Sequence, residues 1–189
     1  MHDESEIRRA LAILVPAGVS EIRAPNARLN GSRPGTAAGY FDNHEAAVKA
    51  AVKLSGHAPG IYITINPVDP ALLARAANRL DPRAKHTTND AEITARRWLL
   101  LDFDPVRPAG ISSSDAEHTA ALERALVVRD WLNSQGWPAP VYADSGNGSH
   151  LLYKIDLAND ADSKTLIEAV LKTLAGRFDD ERVKIDTGV

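Results

Sequence analysis

Apolar positions along this chain switch repeatedly between a helical and a strand period. Ile7, Leu11 and Leu14 fall on one helical face, after acidic residues between Asp3 and Glu6 and before Pro16. Val19 to Arg23 reads as a short strand, Pro25 to Gly35 as a loop, and Gly39-Tyr40-Phe41 as strand again. Asp42 or Asn43 then caps a helix that runs through Leu54 and stops at Gly56. The β-branched run Gly60 to Ile65 predicts a strand ended by Asn66-Pro67. Pro70 to Leu80 predicts a helix, and Asp81 to Asp90 a polar connector.

The second half is more sharply patterned. Arg97 to Phe103, with Trp98-Leu99-Leu100-Leu101 inside it, reads as a buried strand, and Pro105 to Ser113 as a long loop. Ser114-Asp115-Ala116-Glu117 has capping-box spacing, and the helix it opens keeps an apolar face at Ala121, Ala125, Val128 and Leu132 before Gly136. Val141–Ala143 and His150–Ile155 predict two strands joined by a tight Gly-rich turn. Leu166, Ile167, Val170, Leu171 and Leu174 mark a last helix closed by Gly176, and Val183 to Asp186 a final strand. Strands and helices in this succession predict a mixed α/β or α+β fold, and the 141–155 hairpin predicts a mixed rather than purely parallel sheet.

Composition adds exclusions. The chain has 189 residues, 44 % hydrophobic and 25 % charged, which suits one domain or two small lobes and rules out wholesale disorder. A net charge of −3 means that any nucleic-acid contact must use a local basic patch. The absence of Cys removes disulfides, thiolate zinc sites and a Cys nucleophile. No apolar run approaches the roughly 18–20 residues that span a bilayer, and Met1-His2-Asp3-Glu4 is wrong for a signal peptide, so a soluble cytoplasmic protein is expected. Val189 follows directly on the last expected strand, as it would if a larger protein were cut at its C-terminal side.

Three segments carry candidate chemistry. In Leu101-Asp102-Phe103-Asp104-Pro105, strand alternation puts Asp102 and Asp104 on one face, roughly 6.5–7 Å apart along the strand. Two carboxylates at the end of a strand repel each other, and a hard divalent cation such as Mg²⁺ relieves that repulsion. Two solvated Asp residues at a strand end are the plain alternative. In Asp144-Ser145-Gly146-Asn147-Gly148-Ser149-His150, the glycines permit close approach of a phosphate to backbone N–H groups, with Ser145, Ser149 and His150 as further donors. The spacing is neither a Walker A loop nor a nucleophile elbow, and an ordinary hairpin turn is the alternative. In Val183-Lys184-Ile185-Asp186, Val183 and Ile185 share the core face and leave Asp186 on the other, where it could supply a third carboxylate. Positive charge gathers at Arg23, Arg28 and Arg33, between Ile22 and Phe41 where no acid occurs, and at Arg75, Arg79, Arg83 and Lys85. His2, His44, His57, His86 and His118 show no metal-ligand spacing.

Taken in order, an apolar strand with Asp102-x-Asp104, a Ser145-Gly146-x-Gly148-x-His150 turn and an apolar residue before Asp186 resemble the archaeo-eukaryotic primase superfamily. The nearest likeness is to the primase-polymerase domains of phage, plasmid and mobile-element replication proteins. Gly39-Tyr40-Phe41-Asp42, Tyr62-Ile63-Thr64-Ile65-Asn66-Pro67 and Thr87-Thr88-Asn89-Asp90 look like further segments of that branch, so the likeness runs from about Gly18 to the end. The resemblance implies an α+β fold, with a smaller α/β unit over about 1–90 followed by a catalytic unit over about 91–189 whose sheet is like an RNA-recognition motif, and an active site between them. It implies two metal ions, Mg²⁺ or Mn²⁺, on Asp102, Asp104 and Asp186, with His150 also catalytic. It implies triphosphate binding by Ser145, Gly146, Gly148 and His150, although Gly148 stands where many members carry Ser. Arg28, Arg33, Arg79 and Lys85 would hold a single-stranded DNA template, nucleoside triphosphates would be the substrates, and a helicase, to which such domains are often fused, is a candidate downstream partner. Two other readings stay open: a non-catalytic nucleic-acid-binding replication-initiator domain of the same fold, and a haloacid-dehalogenase-type phosphatase, whose first motif Leu101-Asp102-Phe103-Asp104-Pro105-Val106 also resembles.

Overall fold

The computed structural model describes residues 3–29, 33–108 and 110–188. His2, Val189 and parts of the loops expected over 25–35 and 105–113 lie outside the described residues. The chain separates into two compact units, Met1–Arg97 and Trp98–Val189. The fold class is α+β, as the alternating pattern predicts.

In the first unit, helix α1 (Glu4–Leu14) begins where the Asp3 carboxylate accepts the backbone N–H groups of Ser5 and Glu6. Strands β1 (Ser20–Ala27) and β2 (Gly35–Phe41) pair in antiparallel fashion, helix α2 (His44–Leu54) follows on an Asn43 cap, and β3 (Tyr62–Ile63) adds a short edge. The sheet order is β2-β1-β3. Ile22, Ala24 and Phe41 pack with Leu11, Ala47, Val48 and Leu54 into one core.

Three expectations change here. β1 continues through Pro25 to Ala27, because a register irregularity between Ala24 and Ala27, with Asn26 at φ 54°, accommodates the proline. β3 shrinks to two residues within the strand expected over Gly60–Ile65. The helix expected over Pro70–Leu80 is only a 3₁₀ segment, Pro70–Arg75. The chain beyond it covers the outer edge of β2 instead: the Tyr40 N–H donates to the Ala76 carbonyl at 3.1 Å, and the Asp81 N–H to the Ala38 carbonyl at 2.8 Å. Gly39 allows that approach, since a Cβ there would stand 2.1 Å from the Arg79 carbonyl oxygen. An edge hydrogen-bond ladder outweighs a modest helix propensity.

The second unit is built on β4 (Ala95–Pro105), which starts just ahead of the division, then α3 (Asp115–Ser134), β5 (Val141–Asp144), β6 (Ser149–Ala158), α4 (Ala161–Phe178) and β7 (Val183–Ile185). The sheet runs β5-β6-β4-β7 and is antiparallel, not mixed as expected. Each helix crossover passes over one strand: α3 leads from β4 past the place that β6 then fills, and α4 leads from β6 past β4 to β7. This is the split βαβ arrangement that the RNA-recognition-motif-like expectation requires. Leu99, Leu101 and Phe103 of β4, Leu151 and Tyr153 of β6, and Val183 and Ile185 of β7 form one face. That face packs on Ala121, Ala125, Val128 and Leu132 of α3 and on Ile167, Leu171 and Leu174 of α4. Each large side chain so buried contributes about 1.5–3 kcal/mol. Leu100 is 36 % exposed, so β4 is buried on one face only, and its outward positions are Leu100, Asp102 and Asp104. Gly176 lies inside α4 rather than at its end, and Asp179 caps the helix. Among the described residues no helix is long and apolar enough to cross a membrane.

Candidate active site

The sequence Leu-Asp-Phe-Asp on β4 turns Leu101 and Phe103, both fully buried, into the helix-covered core. Asp102 and Asp104 therefore share the opposite face. Their side chains are 29 % and 54 % exposed.

β7 brings the third acid. Phe103 pairs with Ile185 and Asp104 with Lys184, and the Asp186 N–H donates to the Asp102 carbonyl at 2.9 Å. Asp186 thus follows the last paired residue of β7 and lies directly across from Asp102. The register is held from the connector behind it. The Asp180 carboxylate accepts the N–H groups of Arg182 and Val183, at 2.8 and 2.9 Å, and Asp179 accepts that of Ile185 at 2.9 Å. Arg124 of α3 binds both the Asp180 carboxylate and the Phe178 carbonyl. The Lys184 ammonium, on the same face as Asp104, sits 3.7 Å from Asp179.

β6 supplies the imidazole. His150 Nε2 lies 3.2 Å from Asp102 Oδ1. That hydrogen bond raises the His150 pKa, against the effect of its burial, and the charges of Asp102, Asp104 and Asp144 raise it further. Burial pushes the Asp104 carboxyl up, the charges of Asp102 and Asp186 add to this, and Arg107 and His150 oppose it. A carboxyl raised in the folded state costs stability in full above its folded pKa, and the cost fades as pH falls from there to the unfolded-state value. Asp104→Asn should therefore stabilise the metal-free protein at pH 7 by about 0.5 kcal/mol, a small figure because the half-exposed side chain is screened by water. Thermal melting in a chelator checks this, and a lower melting temperature would contradict it.

The turn before His150 is stitched to itself. The Ser145 N–H donates to the Gly148 carbonyl at 3.1 Å, the Gly148 N–H to Ser145 Oγ at 2.9 Å, and the Gly146 N–H to Asp144 Oδ1 at 2.7 Å. The amides of Gly146 and Gly148, expected as phosphate donors, are therefore already committed within the turn. Ser149 is fully buried, with Oγ 3.3 Å from the Ala143 carbonyl, and does not join the exposed donors. Gly148 has a packing reason: a Cβ there would stand 2.2 Å from the Phe103 carbonyl oxygen. Gly146 has a conformational one, φ 82°.

The chain matches no family model, no curated protein and no solved structure.

The function of the site must be argued from its own groups, and some of these carry no sequence signal. His118 of α3 places Nε2 2.8 Å from Asp144 Oδ1, and together with the Gly146 N–H it lowers the Asp144 pKa. Ser113 donates its N–H to Asn147 Oδ1 at 3.0 Å, which ties the start of α3 to the turn. Arg107 lies after β4, with Nη2 3.7 Å from Asp104 Oδ1. None of the three stands at a recognisable spacing; only the fold brings them to the acids and the turn. The donor set, three carboxylates on one face with an imidazole beside them, fits hard divalent cations. Among the described residues, no three His, Asp or Glu side chains are yet arranged as ligands of one ion. The acids repel one another, and Asp102 and Asp104 lean on His150 and Arg107.

The basic residues expected to hold nucleic acid all belong to the first unit. Arg28, Arg33, Arg79 and Lys85 are exposed. Lys85 lines a cavity of about 260 Å³ with Arg75, Arg83, His86 and Tyr40. Arg75 is committed, since its guanidinium binds Glu92 and the Tyr40 hydroxyl. Arg23 is likewise held, by Glu21 at 2.8 Å and the Thr88 carbonyl at 3.1 Å.

Proposed function

We propose that the protein is a DNA primase-polymerase, transferring nucleotides from nucleoside triphosphates to a growing strand on single-stranded DNA. The observation that carries this reading is the pairing of Asp186 with Asp102 across the β4–β7 ladder, with Asp104 and His150 on the same face. Two acids of one strand and a third far away in sequence share a surface that the split βαβ topology builds.

In the reaction, the 3′-hydroxyl oxygen of a primer, or of a first nucleotide, attacks the α-phosphorus in line. The bond from that phosphorus to the bridging oxygen of the β-phosphate breaks, pyrophosphate departs, and the hydroxyl proton is released. Asp102, Asp104 and Asp186 would hold two divalent cations, Mg²⁺ or Mn²⁺, which supply Lewis acidity at the hydroxyl and charge neutralisation at the triphosphate. His150, oriented by its bond to Asp102, would face the phosphates as a hydrogen-bond donor. Ser145 holds the turn that positions His150, through its hydroxyl and the Gly148 N–H. Arg28, Arg33, Arg79 and Lys85 would track the phosphates of the template. A helicase acting downstream suits an enzyme that starts strands.

A phosphatase using Asp102 as nucleophile would leave Asp186 and the Asp102–His150 bond without a role. The test is synthesis on single-stranded DNA with ribo- or deoxyribonucleoside triphosphates and Mg²⁺ or Mn²⁺. Template-dependent oligonucleotides are expected. Binding of the DNA alone, with no product under any of these conditions, would identify a non-catalytic module, and phosphate release from an aryl phosphate would identify the phosphatase.

A further inference from the structure

Arg107 is the least expected charge beside the acids. It follows β4 by two residues, and its side chain is only 19 % exposed. A guanidinium carries five N–H donors and is never deprotonated, so burial demands acceptors. Arg107 has few. Nη1 donates to the Ile111 carbonyl at 3.0 Å, Nη2 is 3.7 Å from Asp104 Oδ1, beyond hydrogen-bond length, and Nε is buried without a partner. Glu117, a second carboxylate near Arg107, already accepts the Ser114 N–H and hydroxyl at Oε2. The fold thus keeps an under-satisfied cation next to Asp104, one of the three clustered acids.

Its location says what it lacks. The Asp104 Oδ1 that Arg107 approaches also lies 3.6 Å from the position of a Cβ on Gly148, so the guanidinium and the Gly-rich turn flank the same carboxylate oxygen. The turn itself has spent its Gly146 and Gly148 amides internally. An anion entering beside Asp104 needs donors, and Arg107 has donors without acceptors.

We propose that Arg107 is a substrate-binding residue of the nucleotide site, gripping non-bridging oxygens of the β- and γ-phosphates with its planar fork. This deepens the primase-polymerase reading and rests on it. The forked geometry matches phosphate oxygens in a way that an ammonium does not. The bond to the Ile111 carbonyl holds one end of the guanidinium and lowers the ordering cost when the phosphates arrive.

The test is equilibrium binding by calorimetry with Mn²⁺ and three probes: inorganic tripolyphosphate, dATP and dAMP. Arg107→Gln should weaken tripolyphosphate and dATP by a similar factor, about 10- to 100-fold, the value of one charge-assisted pair, and leave dAMP unchanged. Arg107→Lys, which restores the charge but not the fork, should recover only part of the loss. In steady state the nucleotide KM should rise while the KM for template stays level. Melting of each variant is recorded, and should Gln prevent folding, Lys alone decides by the same binding ratio. Wild-type affinity for dATP and tripolyphosphate in the folded variant would overturn the assignment while leaving the primase-polymerase reading intact. Failure of the wild-type protein to bind either triphosphate would overturn both.

Discussion

Replacement of Asp102 by alanine is expected to abolish templated synthesis, lowering the rate by at least about 10³-fold, while the protein stays folded. The side chain is the acceptor for His150 Nε2 at 3.2 Å and the partner across the ladder from Asp186. Its loss therefore removes a proposed metal ligand and also frees the imidazole to rotate. The backbone ladder does not depend on it, because the bond to the Asp186 N–H is made by the Asp102 carbonyl. A primer-extension assay beside a thermal melt separates the two outcomes. Full synthesis by a folded Asp102→Ala protein would remove the basis of the functional reading, and loss of synthesis with a collapsed melting transition would mean that Asp102 is structural.

The second large effect is on folding. Gly148→Ala would place a methyl group 2.2 Å from the Phe103 carbonyl oxygen and 3.3 Å from its carbon. Phe103 is fully buried and paired with Ile185, so the carbonyl cannot withdraw without disturbing β4 and β7 together. A backbone clash of this kind should cost about 2–4 kcal/mol, or roughly 10 °C or more of melting temperature for a unit of this size. Gly146→Ala is the control: nothing lies within 4 Å of its Cβ, and the cost is only the left-handed φ, about 1 kcal/mol. Thermal denaturation of the pair should rank Gly148 as the costlier site. The reverse order would show that conformation, not space, fixes glycine in the turn.

Much of the second unit was legible because each element there is strongly periodic. The face at Ala121, Ala125, Val128 and Leu132 is buried as the spacing predicts, and the alternation in β4 already divides Phe103 from the two acids. Gly136 stands beyond the end of α3 at φ 86°, as a helix stop should. The first unit was less legible. Its 76–81 segment obeys hydrogen bonds to β2, which no local pattern encodes, and β1 absorbs a proline through an irregular register. At the site, Asp102, Asp104, Asp186 and His150 stand out as residue types at suggestive places, but Arg107, His118 and Asn147 do not. These three gain meaning only from neighbours 3, 26 and 34 residues away, supplied by loop closure and by the hairpin.

The connector between α4 and β7 carries an evolutionary consequence. Because strand side chains alternate, adding or deleting one residue between Asp180 and Val183 would roll Asp186 inward and Ile185 outward. Related chains should therefore keep this short crossing invariant in length. A frame of one residue there separates an acid on the open face from one turned into the core.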